Sequence, residues 1–559
     1  MTATAIKVTT RPPSHAMVYK PVHDVLAAYQ KARAIFVRDV AELLARGDAG
    51  MDQALMDGKV LPLLYKPLVQ DVVPSIQSHA LDVAKSLVDP SGGDELVEDE
   101  PLEKLVASLS HPAPAVVVSG LRALRSIAGK KEAHATAVVA AGALVPMRAL
   151  LESFHDDVKE ETVRTLRAVA AAGAEHAGKI IAEDDTLAAL AANCNMMDAS
   201  LSLRAQIVKV FESVCAYGAE SAGAVLDCGG FHAAARVAED ASAANAVADD
   251  GVAPRAAASA FACLATMARH SDDLAAAVVD AGCVPCAIAG VVNEANAPLR
   301  EATAATLREL AMKTPALAET VASDGGVAGL VQCANLERGT SRSILAVQTL
   351  GYIADFKQAF AMAVVGAGGA KCLVDASRSA ADVDAAVAAA WALGCVARHG
   401  KETAKPLAKA GALKAMLECY ALGKESVTVV GEALTDRAKA ALKSLVKNVG
   451  DLRLVEPLID EATPKPILRH VLNEFAVKLA KDVNAKRDFV TGGALMRLQA
   501  IRRAHEAAAA AAARAREEAR LGAADAAADD ALLDERTELA VTQINHMFPA
   551  DVVSYYLYC

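Results

Sequence analysis

The sequence predicts an all-α solenoid, in which helical repeats stack along the chain. A short apolar run followed by a glycine recurs at Gly282, Gly325, Gly368 and Gly411, and successive glycines are 43 residues apart. A fixed period of about 20 to 50 residues is typical of proteins whose units bury their apolar faces against one another. The composition, 54% hydrophobic but only 4% aromatic, favours closely packed helices over strands.

Three helices fit within one period. Residues 272–281 predict a short helix that ends at Gly282, where a positive φ permits a sharp bend. Residues 284–292 predict a second helix, and Pro298 begins a third. Three helices with a glycine corner are the armadillo arrangement, whereas the two-helix HEAT repeat does not require the glycine. We therefore expect an armadillo-repeat, right-handed superhelical solenoid.

Weaker corners extend the array in both directions. Gly58 and Gly142 are two periods apart, and Asp185 occupies a glycine position 43 residues after Gly142. Gly493 lies about two periods beyond the last strong corner. The chain has 559 residues but lacks the Pro- or Ser-rich linkers that would divide it into globules. We expect one continuous array of about ten or eleven repeats, some degenerate, over residues 48–505.

The flanks and one internal segment depart from the repeat. Residues 239–254 are predicted to form a loop insertion, because the spacing between the flanking corner glycines is 53 instead of 43. A flexible arm is expected over residues 1–20 and a capping helix over residues 21–47. Residues 506–543 predict an Ala-rich helical insertion, and residues 544–559 an apolar and aromatic tail.

Charge and hydropathy exclude several classes of function. The net charge of −11 opposes general attraction to nucleic acid or to anionic membranes. No run reaches the roughly eighteen apolar residues of a membrane span, and the polar start lacks the core of a signal peptide. The 11 cysteines are scattered through helical segments, as expected for reduced, buried thiols. These observations predict a cytoplasmic protein without nucleic-acid or membrane partners.

No motif predicts a reaction or a cofactor. Cys283 and Cys286 form a CxxC pair, but a zinc site needs four ligands and no second pair lies at suitable spacing. Residues 366–371 (GAGGAK) lack the Gly-Lys-Ser/Thr ending of a phosphate loop and fit a repeat corner. No nucleophile, base and orienting group can be assembled. We expect no enzyme, no metal, no cofactor and no small-molecule substrate.

A row of cations predicts a partner-binding groove. Arg125, Arg167 and Lys209 are spaced 42 residues apart, so successive third helices should present them at the same place along the groove. Arg308 holds the corresponding place after the insertion. Aligned cations suit an acidic peptide or an acidic helix of a neighbouring subunit. The alternative is a solvated face of charged side chains.

One aromatic position completes the candidate groove. In nuclear-import armadillo receptors, the fourth residue after a third-helix Trp is typically an Asn that clamps an extended peptide. After Trp391 this residue is Cys395, and the equivalent positions hold Tyr352 and Glu309. The missing asparagines disfavour the import-receptor hypothesis, and Tyr352 is retained as a groove residue.

Several segments carry a resemblance to one family, among them residues 29–33 (YQKAR) and 71–77 (DVVPSIQ). The most specific are C-terminal and are not generic armadillo features: residues 454–458 (LVEPL), 467–471 (ILRHV), 486–490 (KRDFV) and 555–556 (YY). Together with the repeats, they resemble the armadillo protein of the axonemal central apparatus, called a sperm-associated antigen in vertebrates.

This resemblance implies a non-enzymatic structural scaffold and protein-interaction component of the central pair apparatus in motile cilia and flagella. Such a protein supports the stability of the apparatus and ciliary beating. The implied partners are central-apparatus proteins and microtubule-associated assemblies, and the implied location is the cytoskeleton of the axoneme. Self-association through the apolar terminal elements is a further expectation. The alternative is a general armadillo adaptor that binds peptides in transport or adhesion.

Overall fold

The computed structural model describes residues 15–46, 54–55, 68–91, 94, 97, 99–183, 185–245, 251–378, 382–426, 428–520 and 534–558. In these ranges the chain forms helices, turns and loops, without a strand. It divides into two compact units, Met1–Val237 and Ala238–Cys559. Both units are built from helix triplets.

The first unit begins with a long helix and continues with the triplets. Its helices are α1 (His15–Ala45), α2 (Pro74–Ser91), α3 (Asp99–Ala107), α4 (Pro114–Ala128), α5 (Glu132–Ala140), α6 (Leu144–Leu150), α7 (Asp156–Ala171), α8 (Ala174–Ala182), α9 (Thr186–Asn195), α10 (Leu201–Cys215), α11 (Ala219–Asp227) and the first part of α12 (Gly230–Asn245). The long third helices α2, α4, α7 and α10 pack side by side.

Local sequence fixes where these third helices begin and how they align. Pro114 lies in the first turn of α4, where its missing N–H is not needed. The Ser200 hydroxyl caps α10 by accepting a hydrogen bond from the Leu203 N–H at 3.1 Å. Thr165 on α7 is fully buried and donates from Oγ1 to the carbonyl oxygen of Leu121 on α4, at 3.2 Å. The same hydroxyl lies 2.8 Å from the carbonyl oxygen of Glu161 in its own helix, so it bridges two neighbouring third helices.

The second unit contains the remaining triplets and the C-terminal helices. These helices are α13 (Val252–Ala268), α14 (Asp272–Asp280), α15 (Val284–Val291), α16 (Ala297–Ala311), α17 (Pro315–Ala322), α18 (Gly326–Leu336), α19 (Ser343–Phe356), α20 (Gln358–Gly366), α21 (Gly369–Ser377), α22 (Val383–Ala397), α23 (Lys401–Lys409), α24 (Ala412–Glu425), α25 (Val429–Asn448), α26 (Leu452–Val455), α27 (Lys465–Leu479), α28 (Val483–Thr491), α29 (Ala494–Arg520), α30 (Glu535–Asn545) and α31 (Ala550–Tyr558). The third helices α13, α16, α19, α22 and α25 pack in sequence, and α25 contacts α27.

The corners between first and second helices adopt the predicted left-handed backbone. Gly282, Gly325, Gly368 and Gly411 have φ values of 84°, 85°, 85° and 93°. Asp185 takes the same kind of conformation, with φ 51°, at a position where glycine was expected. Three helices per unit with a left-handed corner confirm the all-α armadillo-repeat fold.

These corners also bear on membrane insertion. Among the described helices, none alone has the length and apolar composition of a membrane span. Three pairs of consecutive helices pass only when joined across their corners, which bend the chain by 78°, 87° and 82°.

The predicted loop over residues 239–254 was wrong for most of its length. Helix α12 continues to Asn245, and α13 already begins at Val252. The inserted residues are rich in alanine, which has the highest helix propensity, and Ala241 is fully buried. The insertion therefore lengthens a helix, while residues 246–250 lie outside the described ranges.

At the N-terminus, α1 begins at His15, six residues before the predicted capping helix. It packs on α2, with Val37 and Val40 buried and Arg33 paired with Asp71. Residues 1–14 of the predicted arm, and residue 58 with most of its repeat, lie outside the described residues.

At the C-terminus, the Ala-rich segment continues a repeat helix. Helix α29 runs without a break from Ala494 to Arg520. Beyond residues 521–533, which are not among the described residues, α30 packs on α27 and α31 packs on α29. Ile544 in α30 is fully buried.

Candidate partner-binding face

All five predicted groove residues lie on third helices, in two groups. In the first unit, Arg125, Arg167 and Lys209 lie on the neighbouring helices α4, α7 and α10. In the second unit, Arg308 and Tyr352 lie on the neighbouring helices α16 and α19. We call the first group, with the charged residues that contact it, the arginine face.

A buried carboxylate lies at the centre of the arginine face. Glu161 on α7 is only 2% exposed. Arg125 Nε is 2.9 Å from its Oε1, while Arg122 Nε and Arg164 Nη1 are 3.7 Å and 3.3 Å from its Oε2. Three guanidinium groups from two helices share this buried carboxylate and, through Arg164, one neighbouring carboxylate, so net positive charge remains at the surface around Arg125.

A second carboxylate connects this network to α10. Glu160 pairs with Arg164 and accepts a hydrogen bond from the Ser202 hydroxyl at 2.9 Å. Glu160 and Glu161 precede Arg164 by four and three residues, a spacing that brings side chains together on a helix surface. This spacing was the sequence signal for the acidic partners, which our prediction of the cation row did not include.

The other two cations of the face flank a third carboxylate. Burial raises the pKa of the Glu212 carboxyl above its ordinary value, and the positive charges of Arg167 and Lys209 act in the opposite direction. The Arg167 side chain is exposed, whereas Lys209 is half-buried. The row is therefore mixed, with carboxylates between cations, and Arg167 is its most accessible cation.

The second group combines a paired cation with aromatic rings. Arg308 pairs with the buried Glu309 and also donates from Nη1 to Oε1 of Gln348 on α19, at 3.3 Å. Tyr352 packs edge to face on Trp391 of α22, with ring centroids 4.7 Å apart. These contacts hold Arg308 and Tyr352 in place between adjacent third helices.

Within the described ranges, no group of three or more His, Cys, Asp and Glu side chains is placed to hold a metal ion. The thiol of Cys283 is buried, and its Sγ donates to the carbonyl oxygen of Val278 at 3.4 Å. Burial raises the pKa of this thiol to about 12, so it stays protonated at neutral pH.

The fold places the chain in the armadillo-repeat class of protein-interaction scaffolds, whose stacked units offer long binding surfaces. No family model matches the chain. A segment of 125 residues is 29% identical to sperm-associated antigen 6 of Mus musculus, covering 22% of this chain and 19% of that protein. A segment of 75 residues is 36% identical to sperm-associated antigen 6 of Homo sapiens, covering 13% and 14%.

The matched segments thus span less than a fifth of either relative. Among solved structures, an engineered protein superposes with a TM-score of 0.61 at 22% identity, covering 74% of this chain and 95% of its own. At this level of identity the superposition shows the helical repeat fold alone.

Proposed function

We propose that this chain is a non-enzymatic structural scaffold of the central pair apparatus of the motile axoneme, where it supports stability and beating. The observation that carries the proposal is the 29% identity over 125 residues with sperm-associated antigen 6. The armadillo fold supports it, because repeats that contact only their neighbours can bend while remaining folded. Central-apparatus proteins and microtubule-associated assemblies are the proposed partners, together with further copies of the chain.

Within this function, we propose that the arginine face binds an acidic segment of a partner. Arg167 is exposed, and positive charge remains around Glu161 because three arginines there are paired with two carboxylates, Glu160 and Glu161. Charge complementarity of this kind governs the rate and specificity of association. Arg308 and Tyr352 are proposed as a second contact region within their own unit.

The location of the protein tests the general proposal. A tagged full-length chain is expressed in a motile flagellated cell, and axonemes are isolated from strains with and without the central pair. We expect the chain along the axoneme, and its loss from axonemes that lack the central pair. An exclusively nuclear or diffuse signal would contradict the proposal and favour a general armadillo adaptor.

A pair of charge reversals tests the arginine face. Arg167→Glu should weaken co-sedimentation with isolated axonemes about tenfold, because it replaces an accessible cation that faces an acidic partner. Lys371→Glu changes the net charge equally, but this exposed residue lies on a second helix, α21, so binding should be retained. Circular dichroism checks that both variants fold, and equal loss of binding in both would remove the proposed face.

A further inference from the structure

The second unit contains a charged pocket separate from the candidate groove residues. It has a volume of about 670 Å³ and lies between α23, the turn after α25, and helices α26 to α28. Basic and acidic side chains line one part of it, and Phe475, Val477 and Phe489 line another. A site with both kinds of wall suits a ligand that has a charged group and an apolar part.

Lys478 is the unusual residue in this pocket. Its Nζ is shielded from solvent and makes no hydrogen bond to any described residue. An ammonium group that has lost its water without gaining a partner costs free energy, and buried charges in proteins are normally paired. The position therefore suits an anion, which none of the described residues supplies.

The nearby carboxylates are already engaged. Asp451 lies 3.1 Å from Lys405 Nζ, and this hydrogen bond holds the pKa of the carboxyl below its ordinary value. Asp488 pairs with Arg453 at 3.0 Å. Asp482 caps α28 by accepting a hydrogen bond from the Asn484 N–H at 2.8 Å, within the helix's own first turn.

The fourth carboxylate of the pocket, Glu456, lies near Arg497, with 3.9 Å between Oε1 and Nη1. Burial raises the pKa of the Glu456 carboxyl, while the positive charges of Arg497 and Arg453 act in the opposite direction. None of the described carboxylates lies within ion-pair distance of Lys478.

Two more cations stand at the same pocket without a carboxylate partner in the described residues. They are Lys401 and Lys481, and both are exposed. Lys401 is the first residue of α23, whose preceding residue, Gly400, offers no side chain to cap the helix. The N–H groups of that first turn add to the positive potential, which Glu402 in the same turn partly offsets.

We propose that this pocket binds a phosphate-bearing ligand, with Lys478 as its central contact and Lys401 and Lys481 at its rim. Lysine ammonium groups bind phosphate as point charges. The roughly two negative charges of a phosphate match three lysines better than the single charge of a carboxylate does. The apolar wall at Val477, which is 54% exposed, would contact the rest of the ligand. The phosphate belongs either to a free small molecule or to a phosphorylated side chain of a peptide.

Titration calorimetry on the full chain tests the site. The probes are inorganic pyrophosphate and a phosphoserine peptide with its unphosphorylated form. We expect saturable binding of at least one phosphate probe and none of the unphosphorylated peptide. Binding of pyrophosphate alone would identify a phosphate-bearing small molecule as the ligand. Tighter binding of the phosphopeptide would identify a phosphorylated protein partner. If no phosphate probe binds, the proposal is overturned.

Matched lysine variants locate the binding. Lys478→Met keeps the aliphatic stem and should weaken binding about tenfold or more. Lys486→Met removes the same charge from α28, at a residue outside the pocket lining, and should bind as the unmodified chain does. Equal affinity of both variants contradicts the assignment. If Lys478→Met does not fold, the double change Lys401→Met with Lys481→Met, at two exposed residues, must give the loss instead. This outcome is independent of axonemal location, since it concerns a purified chain.

Discussion

The two units place charge on their third helices in different ways. In the first unit, the arginines around Glu161 keep 36% to 43% of their side-chain surface exposed. In the second unit, Arg300 on α16 and Glu337 after α18 form an ion pair with side chains only 9% and 4% exposed. Arginine and glutamate side chains therefore have different roles in the two units. The charges of the first unit remain within reach of a partner, whereas this pair holds two helices together.

The largest expected effect is on the free energy of unfolding, which should change differently when each of these two networks loses its carboxylate. Glu337→Gln should lower the free energy of unfolding by about 3–5 kcal/mol, because it leaves the Arg300 guanidinium buried without its counter-ion. Glu161→Gln should cost only about 1–2 kcal/mol, since its arginines can turn to solvent. Urea denaturation of both variants gives the comparison. A larger loss for Glu161→Gln would show that the arginine face is structural.

The second-largest expected effect concerns the packing around Trp391 in the second unit. An added Cβ at Gly351 would lie 2.5 Å from Cζ3 of Trp391, so Gly351→Ala should displace the ring and cost about 1–3 kcal/mol. At Gly394, the nearest atom would be Ala441 Cα at 3.5 Å. Gly394→Ala should therefore be neutral or stabilise by up to about 1 kcal/mol. Thermal melting and Trp391 fluorescence check the pair, and unchanged fluorescence in Gly351→Ala would contradict the packing.

The corners provide a third, smaller comparison between the units. Gly368 in the second unit has φ 85° with open space around its Cα, so Gly368→Ala should cost about 1–2 kcal/mol through backbone strain alone. Asp185, the matching corner in the first unit, has φ 51°, and Asp185→Gly should stabilise by about 0.5–1 kcal/mol. Denaturation midpoints report both changes. Destabilisation by Asp185→Gly would mean that its carboxylate contributes more than its backbone costs.

The smallest effect depends on pH. Burial raises the pKa of Glu212 in the folded state, so its ionised form reduces stability at neutral pH, and this cost disappears as the pH falls through the raised pKa. Glu212→Gln should therefore stabilise by about 0.5 kcal/mol at pH 7, with little difference in acid. Chemical denaturation at two pH values tests this. A variant that is less stable at pH 7 would show that Arg167 and Lys209 outweigh burial.

The repeat architecture was accessible from the sequence because its signal is local and repeated. A corner needs a residue that tolerates positive φ, and Gly282, Gly325, Gly368 and Gly411 mark it at constant spacing. A spacing of 42 residues likewise placed Arg125, Arg167 and Lys209 on neighbouring third helices. The insertion was misjudged because irregular spacing indicated a loop, whereas its alanines favour a longer helix.

Side-chain pairing was less accessible. The buried state of Glu161 depends on how α4 packs against α7, and periodicity does not specify which charged residue turns inward. The contact between Tyr352 and Trp391 joins residues 39 positions apart, so their ring geometry follows from the packing of α19 on α22. The sequence likewise does not show that Lys478 Nζ lacks a partner among the described residues, because this depends on the pairing of Asp451 and Asp488 with other cations.

Site-specific photo-crosslinking in intact axonemes tests most directly whether the arginine face meets a partner. A benzophenone amino acid replaces Arg167 on the third helix α7 or, as a control, Glu175 on the short helix α8, where the side chain is 68% exposed. We expect a crosslink to a central-apparatus protein from position 167 and none from position 175. A crosslink from position 175 alone, or no crosslink from either position in axonemes that contain the chain, would contradict the proposed arginine face.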